Sequence, residues 1–93
     1  MQQLEESRVF KTALVVEDIE SSNHWMSNRL RDTFPSIQVD QAFNLRQACH
    51  FFKHTPVYDI ALIDLGLPDG NGLELIEYCA RHCPQILLSL IHI

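Results

Sequence analysis

The most informative segment of the chain reads Tyr58-Asp-Ile-Ala-Leu-Ile-Asp-Leu-Gly-Leu-Pro-Asp-Gly-Asn-Gly-Leu-Glu-Leu-Ile76. Its run Ile60-Ala-Leu-Ile63 is apolar at every position, which is typical of a parallel strand that is covered on both faces. The strand ends on a carboxylate, Asp64, and a loop rich in Gly and Pro follows before a helix begins. Because open α/β sheets bind ligands beyond the carboxyl ends of their strands, we expect Asp64 to lie in a binding crevice.

A second acidic position follows the first predicted strand. The apolar run Ala13-Leu-Val-Val16 leads directly into Glu17 and Asp18. Two neighbouring parallel strands would bring Glu17, Asp18 and Asp64 to one edge of the sheet, where three carboxylates repel each other unless a divalent cation is bound. Oxygen ligands favour Mg²⁺ or Ca²⁺ over zinc. An aspartate in such a site indicates phosphoryl chemistry, since carboxylates form aspartyl-phosphate intermediates.

The rest of the chain alternates between strand-like and helix-like patterns. We predict strands over 11–16, 37–42, a segment ending at 64, and 86–93, the last of which is expected to be buried. Helices are predicted over 22–33, 45–53 and 72–81. Ser21 or Ser22 is predicted to cap the first helix and Asn44 the second, and Pro56 and Pro84 are expected to end the second and third. This alternation implies right-handed crossovers and a parallel sheet. The predicted fold class is α/β, a flavodoxin-like doubly wound parallel sheet of strand order 2-1-3-4.

Helical spacing also predicts which residues face the core. In the first helix, the residues that recur at 3- and 4-residue spacing are Trp25, Met26, Arg29 and Leu30. The predicted apolar stripe of the second helix is Leu45, Ala48, Cys49 and Phe52, and the predicted inward-facing residues of the third are Leu73, Leu75, Ile76 and Cys79. Cys49 and Cys79 are therefore interpreted as small buried thiols. An odd cysteine count of three, in a chain without a secretory signal, argues against a disulfide framework.

Charge and composition argue against several classes of function. Seven basic residues against twelve acidic ones give a net charge of −5, so we expect no nucleic-acid binding through a basic face. The first ten residues are polar and acidic and carry no apolar signal segment, and no apolar run reaches membrane-spanning length. We therefore expect a cytoplasmic protein that makes no membrane contact and has a disordered lead over residues 1–10.

The acidic residues and their flanking motifs resemble the receiver domains of two-component response regulators. The resemblance covers about residues 11–85 and rests on Glu17-Asp18 and on Asp64-Leu-Gly-Leu-Pro-Asp-Gly-Asn-Gly72. It implies that Asp64 is the phosphoacceptor, that Asp18 binds Mg²⁺ directly and that Glu17 acts on the metal through water. It also implies that Gly66, two residues after the phosphoacceptor, lends its backbone carbonyl to the metal.

The same resemblance implies a role in signalling. Asp64 would accept a phosphoryl group from a sensor histidine kinase or a phosphotransfer protein in a Mg²⁺-dependent phosphorelay, and the chain would turn over no external substrate. Asn23, Ser27 and Arg31, on the first helix, are expected to form the surface that docks the kinase. The parent protein of such a domain can carry an output domain, for example one that binds DNA.

The end of the chain departs from the family pattern. A complete receiver domain has one further strand and two further helices, and its fifth strand opens with a lysine that pairs with the phosphoryl group. Residues 11–93 are therefore expected to be a receiver domain that is incomplete at its C-terminus, with the fifth strand missing. Ser89 lies too early for the family's Thr or Ser at the end of strand four, and that position falls near His92, so we assign no switch residue. The last strand is expected to form an apolar, association-prone sheet edge, and the isolated chain to be marginally stable.

Two other functions stay open at this point. A pseudo-receiver would keep the fold without being phosphorylated; the missing lysine leaves this open, although the intact set of Glu17, Asp18 and Asp64 argues against it. A Mg²⁺-dependent phosphatase or phosphomutase would also use an aspartyl-phosphate intermediate. Such enzymes usually carry a second acid two residues after the nucleophile, where this chain has Gly66.

Overall fold

The computed structural model of the chain describes residues 10–54, 58–83 and 86–91. In chain order the elements are β1 (Thr12–Val16), α1 (Glu20–Thr33), β2 (Gln38–Ala42), α2 (Leu45–His54), β3 (Ile60–Asp64), β4 (Gly66–Leu67), β5 (Gly70–Asn71), α3 (Gly72–His82) and β6 (Leu87–Ile91). The predicted strands and helices agree with these bounds to within about two residues at each end. The short pair β4 and β5 was not predicted. The predictions made for residues 1–9, Pro56, Pro84 and His92 lie outside the described residues.

The main sheet has four parallel strands in the order β2-β1-β3-β6. This is the predicted 2-1-3-4 order, and it places β1 and β3 side by side in the middle of the sheet. Strands β4 and β5 form a separate antiparallel pair within the loop that follows β3. The fold class predicted from sequence, a flavodoxin-like α/β sheet, is confirmed.

Helices cover both faces of this sheet. Because successive strand residues point to opposite faces, the apolar runs of β1 and β3 supply two separate cores. The core under α2 and α3 consists of Leu14, Val16, Ala42, Ala48, Phe52, Tyr58, Ala61, Ile63, Leu67, Leu75 and Cys79. The core under α1 consists of Ala13, Val15, Met26, Leu30, Ile37 and Ile60. Burial on both faces explains why these strands are apolar at every position.

The buried face of α1 differs from the prediction. It consists of Asn23, Met26, Ser27 and Leu30, which follow the spacing i, i+3, i+4 and i+7. The prediction that Asn23 and Ser27 are exposed for docking is therefore wrong, because both side chains are fully buried. Of the four residues that recur at 3- and 4-residue spacing, Met26 and Leu30 are buried, whereas Trp25 and Arg29 are exposed. Trp25 is 65% exposed and lies about 100° around the helix from Met26. Arg31 is exposed, and its docking role stays a prediction.

Two predictions of inward-facing residues are wrong. Cys49 and Leu73 are exposed, because each lies at the border of its helix's buried stripe and its neighbours occupy the centre. Cys79 is fully buried as predicted, and burial, with a smaller effect of the Cys83 thiol, raises its pKa to about 12.

The start of α1 was also predicted incorrectly. The helix begins at Glu20, and its N-cap is Ile19, which makes no side-chain cap hydrogen bond. Ser21 and Ser22 therefore lie in the first turn and not at the cap. The backbone N–H of Ile19 donates to Glu17 Oε2 at 2.8 Å, so an acidic side chain satisfies a backbone donor just before the helix.

The cap of α2 agrees with the prediction and is reinforced from a distant loop. Asn44 Oδ1 accepts a hydrogen bond from the backbone N–H of Gln47 at 2.8 Å. In addition, Asp69 Oδ1 accepts from Leu45 N at 2.7 Å and Oδ2 accepts from Arg46 N at 3.1 Å. These bonds, led by the one from Leu45, lower the pKa of Asp69. They also tie the loop that follows β3 to the start of α2.

Strand β6 is the end strand of the described sheet. Leu87 is 45% exposed and Leu90 is 52% exposed, so the prediction of a buried last strand is wrong and the accompanying prediction of an apolar edge fits. Ser89 pairs with Leu62, whereas Asp64 pairs with Ile91. Ser89 thus lies before the end of the strand, as the sequence indicated. Within the described ranges, no helix has the length and apolarity needed to cross a membrane.

Candidate metal centre

The ends of the two central strands, β1 and β3, bring the acidic residues close together. Val16 of β1 pairs with Ile63 of β3 in parallel register. The residues that follow them, Glu17 and Asp64, therefore lie next to each other at the ends of two adjacent strands. Asp18 follows directly. Each of these three carboxylates offers an oxygen that lies within 4.8 Å of the other two. The structure therefore brings together the three acidic residues that were predicted from their positions at the ends of two strands.

The three carboxylates differ in their exposure to solvent. Glu17 is fully buried and Asp64 is 5% exposed, whereas Asp18 is exposed. Glu17 Oε2 accepts the hydrogen bond from Ile19 N. Among the described residues, Glu17 Oε1 is the buried side-chain atom that has no hydrogen-bond partner. An unsatisfied buried oxygen in a native fold requires an explanation, and a cation is one.

The donor set fits a hard cation. Carboxylate oxygens are the ligands that Mg²⁺ and Ca²⁺ prefer, and a cation beside Glu17 Oε1 would supply its missing partner. Within the ranges that the structure describes, this is also the one cluster of three or more His, Cys, Asp or Glu residues placed to hold a metal ion.

Burial and negative charge raise the pKa of Glu17 to about 7. The largest cause is desolvation, which disfavours the charged carboxylate. The hydrogen bond from Ile19 opposes this effect, and the neighbouring carboxylates of Asp18 and Asp64 add to it. Without a cation, Glu17 is therefore protonated below about pH 7 and ionises as the pH rises above it. A cation would displace that proton.

The loop after β3 holds Asp64 in place. The backbone N–H of Gly66 donates to Asp64 Oδ1 at 3.2 Å, which fixes the orientation of the carboxylate. Gly66 is thus adjacent to the cluster, while the role of its carbonyl as a metal ligand stays a prediction. At the start of α3, Gly72 N donates to Leu65 O at 3.0 Å. A Cβ atom at Gly72 would overlap the backbone oxygen of Asp64, so this close approach requires glycine.

One residue that contacts the site was missed by the sequence analysis. The side-chain amide of Asn23 donates to Glu17 O and to Ala42 O, each at 3.0 Å. Asn23 was assigned to the surface because it is polar. The available signal was its spacing, since Asn23 precedes Met26, Ser27 and Leu30 on the i, i+3, i+4, i+7 face.

Comparison with known proteins gives relatives among transcriptional regulatory proteins. No protein-family model matches the chain. The virulence transcriptional regulatory protein PhoP of Salmonella typhimurium is 45% identical over 65 residues, which are 69% of this chain and 27% of that protein. The transcriptional regulatory protein PhoP of Escherichia coli is 42% identical over the same shares. The chain therefore spans only 27% of the length of these curated relatives.

Solved structures of receiver domains share the fold. The non-phosphorylated HemR receiver domain from Leptospira biflexa matches with a TM-score of 0.77 at 26% identity, over 88% of this chain and 64% of that one. Response regulator TrrA from Thermotoga maritima, solved in complex with Mg²⁺-BeF, matches with a TM-score of 0.78 at 23% identity, over 88% of this chain and 69% of that one. The second match shows the fold alone. The chain is thus homologous to the receiver region of PhoP, and its structure matches the receiver domains of response regulators.

Proposed function

We propose that Asp64 is the phosphoacceptor of this receiver domain, and that it takes a phosphoryl group from a phosphohistidine in a Mg²⁺-dependent reaction. The observation that carries the proposal is the cluster of carboxylate oxygens from Glu17, Asp18 and Asp64 within 4.8 Å of one another. The complex of TrrA with Mg²⁺-BeF supports it, since that response regulator holds Mg²⁺ and a beryllium fluoride group.

Four groups would hold the cation. They are the carboxylates of Asp18 and Asp64, the carboxylate of Glu17 acting through water, and the backbone carbonyl of Gly66. When bound, Mg²⁺ neutralises the negative charge that develops on the phosphoryl oxygens during transfer. Of these residues, Asp18 is exposed and Glu17 is buried.

Asp64 supplies the nucleophile. Its Oδ1 is held by Gly66 N, and its other oxygen attacks phosphorus. A new O–P bond forms as the P–N bond to the donor histidine breaks, and the imidazole retains the electron pair and takes up a proton. The product adds negative charge at the end of β3, which a partner or output domain can sense.

This chemistry also indicates the partner of the chain and where it acts. The proposed donor is a sensor histidine kinase or a phosphotransfer protein, and the proposed location is cytoplasmic. We assign the receiver unit to residues 11–93. A net charge of −5 disfavours direct nucleic-acid binding by this chain, so any DNA binding would belong to an output domain of the parent protein. The chain accepts a phosphoryl group and turns over no external substrate.

One observation favours a second candidate, a pseudo-receiver that is never phosphorylated. The lysines of the chain are Lys11 and Lys53. Lys11 precedes β1, where its backbone N–H donates to Asp59 Oδ2 at 2.7 Å, and this lies at the opposite edge of the sheet from Asp64. Lys53 lies in the last turn of α2. Within the described residues, the phosphoryl group would therefore have no lysine partner.

Intact-protein mass spectrometry after incubation with acetyl phosphate separates the two candidates. We expect a single phosphoryl adduct that requires Mg²⁺ and is absent in Asp64→Asn. Glu74→Gln, which removes an exposed acid from the first turn of α3, is the matched control and should keep the adduct. A folded wild-type chain that binds Mg²⁺ but gains no adduct would support the pseudo-receiver.

A further inference from the structure

A buried amide lies directly beneath the acidic cluster. Asn23 of α1 is fully buried, and its Nδ2 lies 3.0 Å from Glu17 O, 3.0 Å from Ala42 O and 3.4 Å from Val15 O. A side-chain amide has two hydrogens to donate. The two shorter contacts, to Glu17 O and Ala42 O, therefore take them.

These two acceptors lie where neighbouring strands end. Ala42 is the last residue of β2, and Glu17 is the first residue after β1. The ladder continues between them, since Glu17 N donates to Ala42 O at 3.0 Å. Asn23 therefore bridges the two strands at the residue whose side chain enters the acidic cluster. The contact is to the main chain of Glu17, so it acts on the direction in which Glu17 and Asp18 leave the strand.

The other end of the amide is also fixed. Asn23 Oδ1 accepts a hydrogen bond from Gln41 Nε2 at 2.8 Å and one from Ser27 Oγ at 3.3 Å. These donors fix the orientation of the Asn23 amide. If the amide were flipped, Asn23 Oδ1 would face the backbone carbonyls, which can only accept hydrogen bonds. The NH₂ group is therefore the end held against Glu17 and Ala42.

We propose that Asn23 is a positioning residue for the cation site. It holds the main chain at Glu17 so that the Glu17 and Asp18 carboxylates lie opposite Asp64. This inference rests on the proposed function, in which those carboxylates bind Mg²⁺. Residues that orient metal ligands without touching the metal typically contribute about 10- to 100-fold to metal affinity.

The test compares Mg²⁺ binding with stability in matched variants of the chain. Asn23→Ala removes the bridge, and Met26→Ala removes a buried apolar side chain from the same helix face. Both variants should lower the urea midpoint. Calorimetric titration of the folded proteins with Mg²⁺ should show at least about tenfold weaker binding in Asn23→Ala, and unchanged binding in Met26→Ala. Equal affinities in the two variants would overturn the inference.

Two further variants keep the test decisive. If Asn23→Ala does not fold, Gln41→Ala removes the donor that orients the amide and should weaken Mg²⁺ binding in the same direction by a smaller factor. Unchanged affinity in folded Gln41→Ala would then overturn the inference. Asp18→Asn tests the proposed cation site itself. That site is contradicted if the wild-type chain binds no Mg²⁺, or if Asp18→Asn binds Mg²⁺ as tightly as the wild type. Loss of binding in Asp18→Asn with normal binding in Asn23→Ala contradicts the role of Asn23 alone.

Discussion

At the scale of single residues, Glu17 joins the chemistry of the site to the stability of the fold. Its side chain is fully buried, with Oε2 bonded to Ile19 N and Oε1 without a partner among the described residues. A carboxylate in that position is costly to ionise unless a cation lies beside it. A proton and a bound cation would therefore compete for the same carboxylate.

This competition predicts a pH dependence of stability. Folding raises the pKa of Glu17 from 4.5 to about 7, so without a cation its contribution is fully present below pH 4.5 and is lost as the pH rises to about 7. The loss is roughly 3 kcal/mol in the free energy of unfolding. Urea unfolding at pH 5 and pH 8 measures it. Adding Mg²⁺ at pH 8 should restore much of the stability.

Glu17→Gln is the control for this prediction, because glutamine has a similar shape and does not titrate. The difference in stability between wild type and Glu17→Gln should vary with pH between 4.5 and 7 in the absence of metal. A difference that stays constant over this range would show that Glu17 ionises normally in the folded chain.

At the scale of elements, the position of Asp64 depends on how closely α3 approaches β3. Gly72, the first residue of α3, has no room for a Cβ because it would overlap the backbone oxygen of Asp64 and crowd the side chain of Ile63. Gly66 in the same loop has open space at the corresponding position. Neither glycine has a positive φ. The difference between them is therefore one of space and not of backbone conformation.

This difference predicts opposite outcomes for two alanine substitutions. Gly72→Ala should lower the free energy of unfolding by roughly 1–3 kcal/mol, because α3 or the end of β3 must shift. Gly66→Ala should change it by less than about 0.5 kcal/mol, as an uncrowded surface substitution does. Urea unfolding of both variants measures the contrast. Equal stabilities would mean that the approach of α3 to Asp64 is looser than the structure shows.

At the scale of the whole molecule, the described sheet ends on an apolar strand. Leu87 and Leu90 of β6 are about half exposed, and an exposed apolar edge strand pairs readily with other chains. We predict that the 93-residue chain self-associates as its concentration rises, and that Leu87→Lys and Leu90→Lys reduce this association. Sedimentation velocity at increasing concentration measures it. Leu73→Lys changes an equally exposed leucine on α3 and should have little effect; a monomer at every concentration would contradict the prediction.

The sequence predicted the framework of the molecule well because strands and strand ends leave strong patterns. The apolar runs before Glu17 and Asp64 predicted two central strands, and the parallel arrangement then placed the acidic residues together. Polar residues on helices were harder to place. Asn23 is buried because its amide donates to strand-end carbonyls. Its spacing from Met26 and Leu30 indicated the buried face, but a polar side chain does not by itself show that it has buried partners. The pair β4 and β5 was missed because two-residue strands are too short to show periodicity.

The central claim is that Asp64 itself carries the phosphoryl group, and chemical trapping tests it most directly. Borohydride reduces an acyl phosphate on aspartate to homoserine, which tandem mass spectrometry locates in a digest. After incubation with acetyl phosphate and Mg²⁺, homoserine should appear at position 64 and should be absent when Mg²⁺ is withheld. Homoserine at Asp18 or Asp69, or at no position in a folded chain that binds Mg²⁺, would contradict the account.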